Sequence, residues 1–510
     1  MAKVTGGTQY PLEFGSVPIW LYAYMYPTVT QPDHFAGDYR ELDTPEFVSD
    51  FYGRNFRYTD GGIAGGTITA FKDSFEGALI QRFDNVSVPV AQFAEWIFGF
   101  DTDAAYGAML AGNDTILGTP LDDYVQGYGG NDVYRMGEGD DWVINGDPGN
   151  DLIDGGAGWD IVSAAGSRTG FMLPVWHSQV GMIPINSAAL AAEGVDKLLG
   201  VEAIAFADDF DQFTVGGDNF SPLDYVASYA DLSNALGANA QAGFDHYVYS
   251  GAFEGRPVTF SGWEYLASYG DLELAFGLDP DAAASHYITA GRFEGRPVLF
   301  DGLEYIASQP DLIAAFGPDD DAGARHFLAS GRSEGRQITF DGLEYIAGYG
   351  DLIAAFGPNR DAGSTHFIAN GFAEGRQDSF DGLQYIASYT DLIAALGPNR
   401  DAGSTHFITD GFAEGRQEGF DGLQYIASYD DLIVAFGPNR DAGSTHFITN
   451  GHAEGRVGDD FDEVQYLANY ADLQAAFGDD TEAATVHYIA VGHAEGRTDQ
   501  PLTATTDFLL

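Results

Sequence analysis

Six aspartates, Asp114, Asp123, Asp132, Asp141, Asp151 and Asp160, follow one another at spacings of 9, 9, 9, 10 and 9 residues through a glycine-rich tract. A carboxylate at every ninth position, glycines before it and an apolar residue two places after it suit coordination of a hard cation such as calcium by oxygen. Glycine belongs there because it takes positive φ without steric penalty and its carbonyl can serve as a further oxygen ligand. The candidate ligands are therefore the six aspartates together with Gly130, Gly137, Gly139, Gly149, Gly156 and Gly158. The apolar partners, Ile116, Val125, Tyr134, Val143, Ile153 and Val162, call for a narrow core to point into. The bland alternative is an acidic Gly/Asp linker.

The run Gly155-Gly156-Ala157-Gly158-Trp159-Asp160-Ile161-Val162 resembles the RTX, or hemolysin-type, calcium-binding nonapeptide pattern G-G-x-G-x-D-x-U-x at every defined position. Gly127 to Asp132 departs from it only at Tyr128. The resemblance implies a parallel β-roll of two half-turns per coil, with calcium held between residues one coil apart. Asp114, Asp132 and Asp151 would then share one edge, and Asp123, Asp141 and Asp160 the other. Pro148 lengthens its half-turn by one residue, and the first two units carry few glycines. Two to four well-formed calcium sites are expected, with those at Asp114 and Asp123 the weakest.

The elements that must hold this tract lie on both sides of it. Residues 56–88 alternate as strands (N-F-R-Y-T, G-G-T-I-T-A-F, A-L-I-Q-R-F, N-V-S-V), interrupted at Gly61-Gly62 and Gly65-Gly66. An apolar helix is expected from Pro89 to Phe100. This order is similar to a module that precedes the rolls of RTX proteins, and it would hide the open end of the roll, an edge that otherwise invites aggregation. After Asp160, the strings F-M-L-P-V-W, V-G-M-I-P-I and V-E-A-I-A-F-A-D read as a second set of strands resembling a capping segment.

Downstream the chain repeats itself. His246, His286, His326, His366, His406 and His446 are 40 residues apart, and His487 follows after 41. Tyr225, Tyr265, Tyr305, Tyr345, Tyr385, Tyr425 and Tyr466 keep the same register, and a Glu-Gly-Arg closes each unit. In the unit beginning at Asp341, that residue caps a first helix, Asp351 a second that stops at Gly357-Pro358, and Asn359 or Asp361 starts a third running to Gly371. Units this short bury their apolar faces only by stacking, which predicts an α-helical array. A histidine repeated beside aromatic residues reads as a structural hydrogen-bond partner rather than a metal ligand. The expected partners of His366 are a backbone carbonyl or Glu374, together with Tyr345 or Arg376.

The fold class is thus multidomain β plus α. A β-rich module with a helix spans 1–110, the β-roll 111–165, a β-rich cap 166–219, seven helical repeats 220–498 and a tail 499–510. A net charge of -55, with 3 lysines and 19 arginines, argues against nucleic acid as a partner. The absence of cysteine excludes disulfides and thiolate chemistry. No secretory leader opens the sequence, and no stretch is long and apolar enough to span a bilayer. Thr505-Thr506-Asp507-Phe508-Leu509-Leu510 resembles the uncleaved C-terminal signal of type I secretion.

No enzyme motif survives inspection. Gly331-Arg332-Ser333-Glu334-Gly335 matches G-x-S-x-G, but it is one variant of the repeated closing turn. H-E-x-x-H is absent. The reading is a non-enzymatic, secreted calcium-binding protein with a structural or adhesive role. Its expected partners are calcium, the type I secretion machinery, and cell-surface polysaccharide or further copies of itself. The alternatives are a surface-layer lattice protein, and a secreted hydrolase with its active site in the N-terminal module.

Overall fold

The computed structural model describes residues 1–13, 22, 25–39, 44–59, 62–145, 148–185, 194–212 and 219–502. The chain divides into two compact units, Met1–Gly262 with Asp281–Arg296, and Trp263–Pro280 with Pro297–Leu510.

The first unit opens with β1 (Lys3–Gly6) and an antiparallel meander, β2 (Tyr26–Thr30), β3 (His34–Tyr39), β4 (Thr44–Thr59), β5 (Gly62–Phe75) and β6 (Ala78–Pro89). Period-two patterning sets its buried face. Phe35, Phe51, Phe71, Phe83 and Val4 lie opposite one another across five strands, each at most 4% exposed. Helix α1 (Val90–Gly99) covers this row, with the Phe93 ring 5.3 Å from that of Phe51. Helix α2 (Thr102–Met109), capped by Asp101, was not expected from the sequence. Its short A-A-Y-G-A-M run gives little periodic signal. The expected break at Gly65-Gly66 is a bulge instead: β5 continues through it, and Gly66 absorbs a φ of 121°.

The aspartate tract forms a parallel roll. Strands β7 (Thr115–Leu117), β9 (Val133–Glu138) and β11 (Leu152–Ala157) make one wall, and β8 (Tyr124–Gln126), β10 (Trp142–Ile144) and β12 (Ile161–Ser163) the other. Beyond it come β13 (Phe171–Met172), β14 (Val175–Trp176), β15 (Gln179–Pro184), β16 (Asp196–Leu199), β17 (Ala203–Ala205) and β18 (Phe210–Gln212). Two strands of the segment expected to cap the roll lengthen it: β16 runs parallel to β11 and β17 parallel to β12. At the opposite end β1 runs parallel to β7, and Glu13 bridges to Tyr124. The meander and one wall therefore form a single sheet, joined through β1.

The core between the walls is two facing columns. Val4, Ile116, Tyr134, Ile153 and Leu198 stand in register on one side, and Val125, Val143, Val162 and Ile204 on the other, all at most 2% exposed. Each such side chain contributes about 1.5–3 kcal/mol on burial.

In the second unit the helical repeat is seen most clearly from Asp341. The first helix, Gly342–Ala347, is capped by Asp341, whose carboxylate accepts from the N–H groups of Leu343 and Glu344. The second, Gly350–Phe356, follows Tyr349 without a side-chain cap, so Asp351 lies in its first turn and does not cap it. It stops at Gly357, with φ 56°. Asn359 caps the third helix, Arg360–His366. This helix widens into a π-helical turn, Phe367–Gly371, before one last turn, Phe372–Glu374.

The π turn was not expected, since its period differs from the α-helix by a single residue. Its closing glycine sits against the tyrosine of the first helix; in the next repeat, whose π turn is Phe407–Gly411, a Cβ on Gly411 would lie 2.2 Å from the Tyr385 hydroxyl. That hydroxyl is 3.0 Å from His406 Nδ1, and the same pair recurs as Tyr305–His326, Tyr345–His366 and Tyr425–His446 at 3.0 Å. Glu374, a candidate partner of His366, instead pairs with Arg376, which also reaches Asp351. Ser333 sits on a helical turn, Arg332–Glu334, and its hydroxyl donates to the Ser330 carbonyl. Residues 503–510, including most of the secretion-like tail, lie outside the described residues.

Candidate metal centre

The six aspartates stand along the two edges of the roll, each at most 2% exposed. On the first edge, the Asp114 N–H donates to Asp132 Oδ1 at 2.7 Å and the Asp132 N–H to Asp151 Oδ1 at 2.7 Å. On the second, the Asp123 N–H donates to Asp141 Oδ1 at 2.8 Å and the Asp141 N–H to Asp160 Oδ1 at 2.9 Å. The expected grouping of residues one coil apart is the observed one. A neighbouring ladder runs in the opposite direction, with the Asn131 N–H on Asn113 Oδ1 and the Asp140 N–H on Asp122 Oδ1, each at 2.9 Å.

Asp114, Asp132, Asp141 and Asp160 are each anchored through Oδ1. Among the described residues, Oδ2 of Asp114, Asp132, Asp141 and Asp160 accepts no hydrogen bond although it is buried. An unpartnered carboxylate oxygen in a buried site is costly unless a cation or a donor meets it. Burial pushes the carboxyls of Asp132 and Asp141 up to about 7 and that of Asp160 up to about 6. The hydrogen bond from the adjoining rung pulls each value back, while nearby carboxylates push it further up. Asp114 and Asp123 are raised by burial as well.

The glycines bring backbone carbonyls to the same edges. Gly130, Gly137, Gly139, Gly156 and Gly158 have φ between 102° and 148°, which other residues rarely adopt. They stack coil on coil: a Cβ on Gly149 would lie 2.0 Å from the Gly130 carbonyl oxygen, one on Gly156 2.0 Å from that of Gly137, and one on Gly158 1.8 Å from that of Gly139. Among the described residues no three acidic or histidine side chains gather into a metal-binding group. The donor set is instead carboxylates mixed with main-chain carbonyls, the oxygen chemistry that calcium accepts. The residues present fit that ion. Bound calcium would neutralise the edge carboxylates; the chain's own part is to anchor each aspartate and expose its second oxygen.

A search with family models matches residues 110–143 and 143–167 to the RTX calcium-binding nonapeptide repeat. Segment 110–167 is an RTX repeat tract. Such repeats bind Ca2+ and are typical of secreted proteins. No curated protein matches the chain. Among solved structures, the extracellular lipase LipA from Serratia marcescens is 19% identical over 21% of this chain and 16% of its own, with a TM-score of 0.12. So small a likeness carries no argument about activity.

Four rungs escaped the sequence reading. Asp196 Oδ1 accepts the Asp151 N–H and Glu202 Oε2 the Asp160 N–H, both at 2.8 Å, which continues the two ladders beyond the RTX tract. At the other end the N–H groups of Ala2 and Leu12 donate to Asp114 and Asp123. The signal for the first pair was present: Gly194-Val195-Asp196-Lys197-Leu198 and Gly200-Val201-Glu202-Ala203-Ile204 keep the glycine, acid and apolar spacing. For Ala2 and Leu12 there was none, since a bare N–H is supplied by any residue but proline.

Proposed function

We propose that this protein is a non-enzymatic extracellular scaffold whose RTX roll folds on calcium and whose helical repeats present a recurring surface. In this reading type I secretion exports the chain unfolded, because in calcium-poor cytosol the edge carboxylates repel one another. Outside, calcium at about 0.1–1 mM, the range of extracellular modules, turns binding free energy into folding free energy. The observation that carries the reading is the row of buried, unpartnered Oδ2 atoms on Asp114, Asp132, Asp141 and Asp160. They make the cation-free roll unfavourable at four rungs at once.

The repeats support the second half of the proposal. Successive units expose the same positions, so a partner that is itself repetitive, such as a surface polysaccharide or another copy, gains avidity without any single strong site. Circular dichroism with light scattering, titrated from chelator to about 10 mM calcium, tests it. A gain of β structure with compaction is expected. Large ordered assemblies would favour a self-assembling layer, and a stable monomer would favour adhesion to a glycan. A trace unchanged by calcium would sink the proposal.

A further inference from the structure

Asp123 has the spacing of the other ladder aspartates but not their surroundings. Its Oδ2 accepts the Thr119 N–H at 2.6 Å, and its Oδ1 accepts the Thr119 hydroxyl at 2.8 Å and the Leu12 N–H at 2.5 Å. Three protein donors thus converge on one carboxylate. Further along the same edge, Asp141 and Asp160 are anchored through Oδ1 alone, and the Oδ2 of each accepts nothing among the described residues.

The sequence explains the difference. Four and two places before Asp141 stand Gly137 and Gly139, both with φ of 114°, and before Asp160 stand Gly156 and Gly158, with φ of 102° and 148°. In these turns the backbone is left-handed. The corresponding residues before Asp123 are Thr119 and Leu121, which have no positive φ. At Thr119 the main chain instead turns its N–H into the carboxylate, and the side chain adds its hydroxyl from the same residue. Asp123 and Thr119 are both buried, at 2% and 3% exposure, so water does not compete for these bonds.

We propose that Thr119 closes the Asp123 rung in place of a cation, so that on this edge calcium binding starts at Asp141. The inference rests on the calcium reading of the roll and narrows it to particular rungs. A carboxylate already accepting three hydrogen bonds has little lone-pair capacity left. A cation entering there would displace the Thr119 donors and leave a buried N–H unpaired. The Asp123 rung then serves a different purpose. It fastens the backbone of Leu12, and so the first coil, to the roll before any metal arrives.

The test is the number of calcium ions bound by the full chain, counted by native mass spectrometry at saturating calcium, for wild type, Asp123→Asn and Asp141→Asn. Asp123→Asn should bind as many ions as wild type, and Asp141→Asn fewer. A lower count in Asp123→Asn than in wild type would overturn the inference. If that variant does not fold, anomalous diffraction from calcium-loaded wild-type crystals decides instead: a peak within about 2.6 Å of either Asp123 oxygen refutes the proposal, and its absence beside peaks at Asp141 and Asp160 upholds it. A wild type that binds no calcium at all would remove the underlying reading together with this one.

Discussion

The roll and the helical array both multiply a unit too small to fold alone, yet they satisfy buried polar groups in opposite ways. In the array the repeated Tyr–His and Glu–Arg groups meet protein partners, and among the described residues it is neutral hydroxyls such as those of Ser364 and Ser444, not carboxylates, that are buried without one. Tyr385 meets His406, the Gly382 N–H meets Glu344 Oε1 at 2.8 Å, and Arg400 reaches Glu344 of the preceding repeat and Asp441 of the next. In the roll the partner of each anchored carboxylate is left to solution at Asp114, Asp132, Asp141 and Asp160. Repetition alone therefore does not decide whether a fold needs a ligand. What decides is whether the repeat carries both halves of each polar contact.

Removing calcium should break this comparison most visibly. With excess chelator the β signal of the roll should be lost while the helical signal near 222 nm persists, as circular dichroism would report. Loss of both together would mean that the array also depends on the metal. Within the array, Gly411→Ala should be damaging, because its methyl would meet the Tyr385 hydroxyl. Overpacking of this kind costs about 1–3 kcal/mol, read as an earlier helical transition in urea with the calcium midpoint of the roll unchanged.

Tyr385→Phe tests the polar half of the same contact. It removes the hydroxyl from His406 Nδ1 and should cost about 1 kcal/mol, a fall of about 2–4 °C in the helical melting temperature. An unchanged melting temperature would make the repeated histidine a packing group only.

A more gradual effect is expected from pH. Burial pushes Glu264, Glu304 and Glu344 up to about 8, well above the ordinary glutamate value. An acid whose value is raised by folding favours the folded state when protonated. That contribution is complete below about 4.5 and is lost as pH rises through about 8. The helical melting temperature in chelator should therefore decline over this window, and Glu264→Gln with Glu304→Gln and Glu344→Gln should flatten the decline. Later repeats already carry the amide, as Gln384, Gln424 and Gln465. The smallest change should come from Arg416→Ala. Its pairs with Asp391 and Glu414 are open to solvent, which screens them.

Much of this was legible in the residues themselves. A nine-residue carboxylate period has few physical uses and pointed to calcium, while the resemblance to the nonapeptide pattern implied the two edges of the roll and their pairing. Helix caps such as Asp341 and Asn359, and the stop at Gly357, follow from local backbone chemistry that a short window contains. The repeated Tyr and His were recognisable as partners because each copy preserved both. Where local chemistry offered two options it misled, as at Asp351, which was expected to cap a helix and instead pairs with Arg376.

Tertiary structure decided what the period could not. No pattern in residues 1–13 announces that β1 begins the roll more than 100 positions before the first aspartate, because a parallel neighbour needs only backbone and one apolar residue, Val4. Nor does spacing distinguish Asp123 from Asp141. One meets Thr119 and the other presents an unpartnered oxygen, and that difference depends on where a turn four residues earlier aims its N–H. The sequence by itself marked the candidate calcium ligands. Which of them the protein's own donors had already satisfied was decided by how the folded backbone aims those donors, the nearby Thr119 and the distant Leu12 at Asp123.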